Sequence, residues 1–348
     1  MKPTLFRLLS LAALSSAAAH AVTFSPLDLP GSQLAALSAD GCVAAGGVSG
    51  DKPAGFRWSA ARGVEPLEAA ITVSALSPRG DHAAGSTFDS MQREVASYWD
   101  AAGKAHRLEA MPGLATIGVI SQAHAITDGP HIVGSARRNG GARIAFEWTP
   151  VGGMRVLAER GHGEARAIAI SIDGHLVAGW QSEGEGIGER VQPLRWRDGR
   201  LLPTSEAERG TILGASRDAA LLLGWSGEQT GVAIHRETKI RRLSTPTSLR
   251  PRAGSDDGKL LVGDSGNGDE RTAWIWSEAE GFAPLRDWLA RHGSPLPPDW
   301  HPLALTAVSA DGKRLGGWGR RDDDRLDSFV VDLGGSACAD TRRARAAQ

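Results

Sequence analysis

The side chains able to do chemistry in this 348-residue chain are sparse and form no catalytic motif. The ten histidines include no His-x-x-x-His pair with a neighbouring acid, and Cys42 and Cys338 are too distant in sequence for zinc-ligand spacing. There is no Gly-x-Ser-x-Gly elbow and no phosphate loop ending in Gly-Lys-Ser/Thr. The run Asp322-Asp323-Asp324 lacks the alternating ligands and glycine of a calcium loop. Ser38, Ser77, Ser171, Ser216, Ser255 and Ser309 each sit three residues before a turn position, where a hydroxyl bonds turn amides and does not act as a nucleophile. The sequence therefore assigns no catalytic residue, no metal and no cofactor. What remains is recognition chemistry, carried by Trp180, Trp225 and Trp318, with Asp264 in an equivalent position. An exposed indole can stack on a sugar or base or anchor a protein partner, whereas a buried one packs between structural units.

These four residues are equivalent because each follows the second glycine of an internal repeat. The segment Ser38-Ala39-Asp40-Gly41 is followed five residues after its glycine by Gly46, and the same offset recurs at 80/85, 129/134, 174/179, 219/224, 258/263 and 312/317. From Gly46 to Gly317 is 271 residues over six intervals, about 45 per repeat, the length of a four-stranded propeller blade. Copy five carries Ala219 at its turn, so it must accept a Cβ at positive φ or use another turn type; copy three is one residue shorter before its glycine.

Each repeat parses into four short strands. Strand A ends in Ser-x-Asp-Gly, strand B ends at the second glycine, strand C alternates up to Trp58, Trp99, Trp148, Trp196 or Trp276, and strand D carries a leucine. The strand-C tryptophans are expected in the core. The fold class is thus all-β, a single seven-bladed β-propeller of four-stranded blades, with ring closure leaving only short protected edges. The last repeat lacks a strand D, and residues 23–29 resemble one, so the N-terminal strand is expected to close the last blade. Strand directions then place Cys42 and Cys338 on the same face in adjacent blades, predicting a disulfide.

The pattern Ala-x-Ser-x-Asp-Gly, Val-x-Gly, Ala-Phe-x-Trp and Gly-x-x-x-Leu resembles the bacterial extracellular HAF-repeat family, and its blade grammar is similar to that of WD-type propellers. The resemblance runs from about Leu34 to Leu333 and implies export and a propeller, without a reaction or catalytic residues. The family's histidine is replaced by Ile144 before Ala145-Phe146.

If blade polarity follows the WD type, the face opposite the disulfide carries the longer loops, 86–94, 180–192, 264–272, 318–327 and 109–122, the usual place for binding on a repeat scaffold. Residues 285–292 have helical spacing and are expected to form a short helix capping the disc, packing into the core and not serving function. Residues 1–21 read as a signal peptide, with Lys2 and Arg7, an apolar stretch over 8–14, and Ala19-His20-Ala21 at the cleavage site. The expected domains are the signal peptide 1–21, the propeller 22–335 and a C-terminal tail 336–348.

Composition narrows function. A net charge of −1 excludes a nucleic-acid protein running on bulk positive charge, and 44 glycines without a three-residue period exclude collagen. No transmembrane segment is expected. The reading is an exported, monomeric binding module, periplasmic or extracellular, whose partner is a glycan or an envelope protein. Trp180, Trp225, Asp264 and Trp318 are its candidate ligand-binding residues. The alternative is a polysaccharide lyase or hydrolase with its site on the loop face.

Overall fold

Short alternating segments separated by tight turns cannot bury an apolar face alone, so they form antiparallel sheets that stack on one another. The computed structural model describes residues 21–50, 54–161, 163–183, 190–204, 208–226, 231–245, 249–334 and 338, except the side chains of residues 183, 208–210, 225, 226 and 269. The signal-peptide stretch, Ala21 apart, and the expected tail, Cys338 apart, lie outside the described residues.

The chain folds as seven blades around a central channel. Blade 1 comprises Ser32–Leu37, Val43–Val48, Ala54–Ser59 and Gly63–Leu67, and blade 2 Ala70–Leu76, Ala83–Phe88, Glu94–Trp99 and Ala105–Arg107. Blade 3 is Ser121–Ile126, Ile132–Arg137, Arg143–Thr149 and Gly153–Val156; blade 4 is Ala165–Ile170, Leu176–Glu183, Arg190–Arg197 and Arg200–Leu201. Blade 5 is Glu208–Ser216, Leu221–Ser226, Gly231–Arg236 and Lys239–Ser244; blade 6 is Leu249–Gly254, Leu260–Ser265, Thr272–Ser277 and Gly281–Pro284. Blade 7 takes Trp300–Val308, Arg314–Arg321 and Leu326–Asp332 from the end of the chain, and Thr23–Pro26 from its beginning. Thr23 pairs with Asp332 and Pro26 with Phe329, so the closure expected from the sequence is formed. Phe24 packs edge-on against Trp300 at 5.1 Å. The Cys42–Cys338 disulfide is also present, with Cα atoms 5.4 Å apart.

The turn serines act as expected. Ser38 donates to Asp40 Oδ1 at 2.6 Å and accepts from the Val43 amide at 2.9 Å, and the same pair of bonds recurs at Ser171, Ser216, Ser255 and Ser309. Ala219 takes the strained option, with φ at 58°. Trp99, Trp196 and Trp276 are buried, while Trp58 and Trp148 are half-buried. The indole N–H groups of Trp99 and Trp196 reach back to the Glu68 and Ala158 carbonyls, each at 2.7 Å, tying a blade to the connection before it.

One expectation needs correction. Strand B does not end at the second glycine but continues two to four residues beyond it, because the hairpin ladder extends into what read as loop. The segments 86–94, 180–192, 264–272 and 318–327 therefore start and finish inside paired strands. The helix expected here forms over Leu285–Arg291, and core packing is its role: Leu285, Trp288 and Leu289 are buried in the core shared by blades 6 and 7, with Trp300 and Phe329. The helix follows directly on the outer strand of blade 6, which ends at Pro284.

The second glycine has a specific task. In every blade the A–B register slips by one residue beside it, a β-bulge in strand A. A Cβ on Gly46, Gly85, Gly134, Gly179, Gly224, Gly263 or Gly317 would run into a strand-A carbonyl, that of Thr72 in the case of Gly85. Gly85→Ala is therefore expected to destabilise the protein by roughly 1 to 3 kcal/mol, as overpacking does. An unchanged urea midpoint would show that the bulge is not held by this close approach.

Candidate functional site

The bulges decide which residues line the channel. The extra residue in each inner strand is Ala35, Ser74, His124, Ile168, Leu213, Arg252 or Thr306, and all seven line one cavity of about 620 Å³ along the ring axis. A second cavity of about 610 Å³ shares Ala35, Leu213, Arg252 and Thr306 with it and reaches Trp318. Among the described residues, the charged members of the lining are Arg166, Arg217 and Arg252, with no aspartate or glutamate.

Arg217 occupies the x position of the Ser-x-Asp turn in blade 5 and donates from Nη2 to the Leu76 carbonyl of blade 2 at 2.7 Å. Blades 2 and 5 are as far apart as two blades can be in a ring of seven, so this side chain spans the channel at the A–B turn end. Burial pushes its pKa down to about 10 against the opposing pull of Asp256, Asp128 and Asp40, so it is charged at neutral pH. Its Nε is buried without a hydrogen-bond partner.

The other end is organised by Asp264. This carboxylate is fully buried and accepts from Arg250 Nε at 2.7 Å, Arg252 Nε at 2.6 Å and Arg271 Nε at 3.1 Å. Burial opposes its ionisation, but hydrogen bonds and charge from Arg252 and Arg271 outweigh that effect and hold its carboxyl below the usual range. Arg271 in turn lies over the Trp318 ring at 5.1 Å. Across the mouth, Arg166 lies over Trp180 at 5.2 Å, with its Nε buried and unpartnered. His124 bonds Ser135 Oγ at 3.0 Å. Loss of solvent, then the nearby Arg166 and Arg143, push its pKa down to about 4, leaving it neutral at physiological pH.

The sequence-selected residues thus divide. Trp180 and Trp318 are half-buried and border the cavities from opposite walls, each with a guanidinium over its ring. Asp264 is not an exposed ligand contact; it is the buried anchor that places Arg252 in the channel and Arg271 on Trp318. The side chain of Trp225 lies outside the described residues. Sequence reasoning missed Arg166, Arg252, Arg217 and His124. A signal for the bulge residues existed: each lies three positions before the Ser or Thr that opens the A–B turn, as Arg252 does before Ser255 and His124 before Thr127.

Among the described residues, no helix is long and apolar enough to cross a membrane, and no group of three metal-ligating side chains occurs. No protein-family model matches the chain, and no curated protein sequence matches it. Solved structures do. The β-propeller domain of the trilobed protease from Pyrococcus furiosus is 10% identical with a TM-score of 0.55, over 92% of this chain and 98% of that one. The Cps50 (Swd1) β-propeller domain from Myceliophthora thermophila is 12% identical with a TM-score of 0.55, over 89% of this chain and 99% of that one. The acylaminoacyl peptidase from Pyrococcus horikoshii is 10% identical with a TM-score of 0.53, over 90% of this chain, but this chain covers only 54% of the peptidase. At these identities the likeness is one of fold.

Proposed function

We propose that the protein is an exported propeller that binds an extracellular or cell-surface polymer at the mouth of its channel opposite the disulfide. The observation that carries this reading is the pair of half-buried tryptophans, Trp180 and Trp318, on opposite walls of contiguous cavities, each backed against an arginine. Stacking on an indole holds each guanidinium in place, with Arg271 Nε committed to Asp264 and Arg166 Nη2 to Glu164 while their other donors face the mouth. Residues 1–21 act as the export signal, residues 22–335 form the binding domain and 336–348 a tail. The disulfide suits an oxidising compartment. The repeat pattern, with Ile144 in place of the family's histidine, supports kinship with the HAF-repeat proteins. A glycosidase would need two carboxylates flanking its substrate. The described lining residues include none, which favours binding over that hydrolytic mechanism.

The test is a binding screen on immobilised envelope and extracellular polysaccharides, with Trp180→Ala/Trp318→Ala as the comparison. Affinity for the retained polymer is expected to fall on the order of tenfold to a hundredfold, the scale of a lost aromatic hot spot. Equal retention of the double variant would remove the channel mouth as the binding site.

A further inference from the structure

We infer that the channel is a blind pocket that captures the end of an acidic polysaccharide, admitting its terminal units and stopping them at Arg217. This deepens the proposed binding function and rests on it. Two observations carry the inference independently of the tryptophans.

The first is charge. The chain as a whole is nearly neutral, with 39 basic and 40 acidic residues, yet among the described residues the lining of both cavities contains guanidinium groups and no carboxylate. The described acids near the channel already have partners: Asp264 is consumed by three arginines, Glu94 accepts from Ser86 and Gln122, and the half-exposed Glu164 accepts from Arg166 Nη2 at 3.4 Å, the long end of a hydrogen bond that an incoming carboxylate can replace. The cations are also spread along the axis. Arg166 lies two residues before its strand's bulge, Arg252 is itself a bulge residue, and Arg217 follows the strand's end. At the rise of an extended strand these levels span about 20 Å. One terminal carboxylate, as at a peptide C-terminus, would engage a single level. A chain bearing a carboxylate on each unit can engage several, and arginine meets carboxylates with paired, charge-assisted hydrogen bonds.

The second is closure. The Arg217 to Leu76 bond joins opposite walls at the turn end, so an occupant entering from the loop face has no exit there. A cavity of about 620 Å³ is the size of a small-ligand pocket and has room for the end of a polymer but not for its length. Binding along the middle of a chain would require an open channel or a surface groove.

The experiment titrates the intact, oxidised protein with linear oligogalacturonates of several defined lengths and measures affinity and stoichiometry by calorimetry. End capture predicts the same number of protein molecules per chain at every length. A number that grows in proportion to length overturns end capture while leaving acidic-polymer binding intact. Binding of neutral galactan chains, or of an acidic peptide in place of the uronates, overturns the assignment to acidic polysaccharide. Failure to bind any polysaccharide in the wider screen overturns the parent reading. Arg166→Gln, which leaves the Asp264 cluster untouched, is expected to weaken oligogalacturonate binding roughly ten- to a hundredfold and to flatten its salt dependence. Unchanged affinity and salt dependence in that variant would remove Arg166 and the charge argument with it.

Discussion

Replacing Cys42 with serine is expected to lower stability by roughly 5 to 6 kcal/mol on the chain-entropy relation, the largest effect expected of a single substitution in this protein. The bridge joins residues 296 apart, so it closes a loop of almost the whole folded chain. In the chain-entropy account, a cross-link of that span removes a large part of the freedom of the unfolded ensemble. The folded ring is less affected, because the Thr23–Pro26 strand already joins the two ends of the chain by pairing with Leu326–Asp332. The variant should therefore keep its propeller and its far-ultraviolet spectrum while its urea midpoint falls. Its m-value should rise, since the unlinked denatured chain exposes more surface. Wild-type protein under reducing conditions should match the variant. Coincident denaturation curves for oxidised and reduced protein would show that the bridge contributes nothing.

Asp264→Ala is expected to cost about 3 to 5 kcal/mol, the range for removing one partner of a buried ion pair. The substitution leaves Arg250, Arg252 and Arg271 facing one another with their shared acceptor gone. Asp264→Asn should recover part of the loss, because an amide oxygen still accepts hydrogen bonds but carries no charge. The pH dependence follows from the direction of the shift. The folded carboxyl titrates below its unfolded value, so its stabilisation is present above about pH 4 and is lost as pH falls through the folded pKa. Urea midpoints measured between neutral pH and pH 3 should fall less in Asp264→Asn than in the wild type over the acid part of that range. Parallel acid profiles would contradict the assignment. Because Arg252 lines both cavities and Arg271 backs Trp318, both variants should also weaken polymer binding.

The blade grammar was legible because it is local. A turn that needs Ser-x-Asp-Gly and a strand pair that needs glycine five residues later leave marks at fixed spacing whatever surrounds them. The site was less legible. A bulge shifts strand A by one residue relative to its partner, and because side chains alternate with a period of two, that shift changes which residue faces the channel. A plain alternation reading of Gln122-Ala123-His124-Ala125 or Arg250-Pro251-Arg252-Ala253 does not reveal the slip. Asp264 was found by position, but its burial was not legible: it comes from arginines in its own blade folding over it, including one from the connection between strands.

By itself, the sequence determined the number of blades, the order of strands, the closing N-terminal strand and the pairing of Cys42 with Cys338, because each follows from repeat spacing and strand direction. The tertiary structure decided what the ring encloses. Arg217 and Leu76 are 141 residues apart and meet because blades 2 and 5 face each other across the axis. Arg166 lies over Trp180 within blade 4, whereas Arg271 reaches Trp318 from the neighbouring blade 6. Whether a tryptophan offers a bare face or a held guanidinium depends on such packing, and no period in the chain records it.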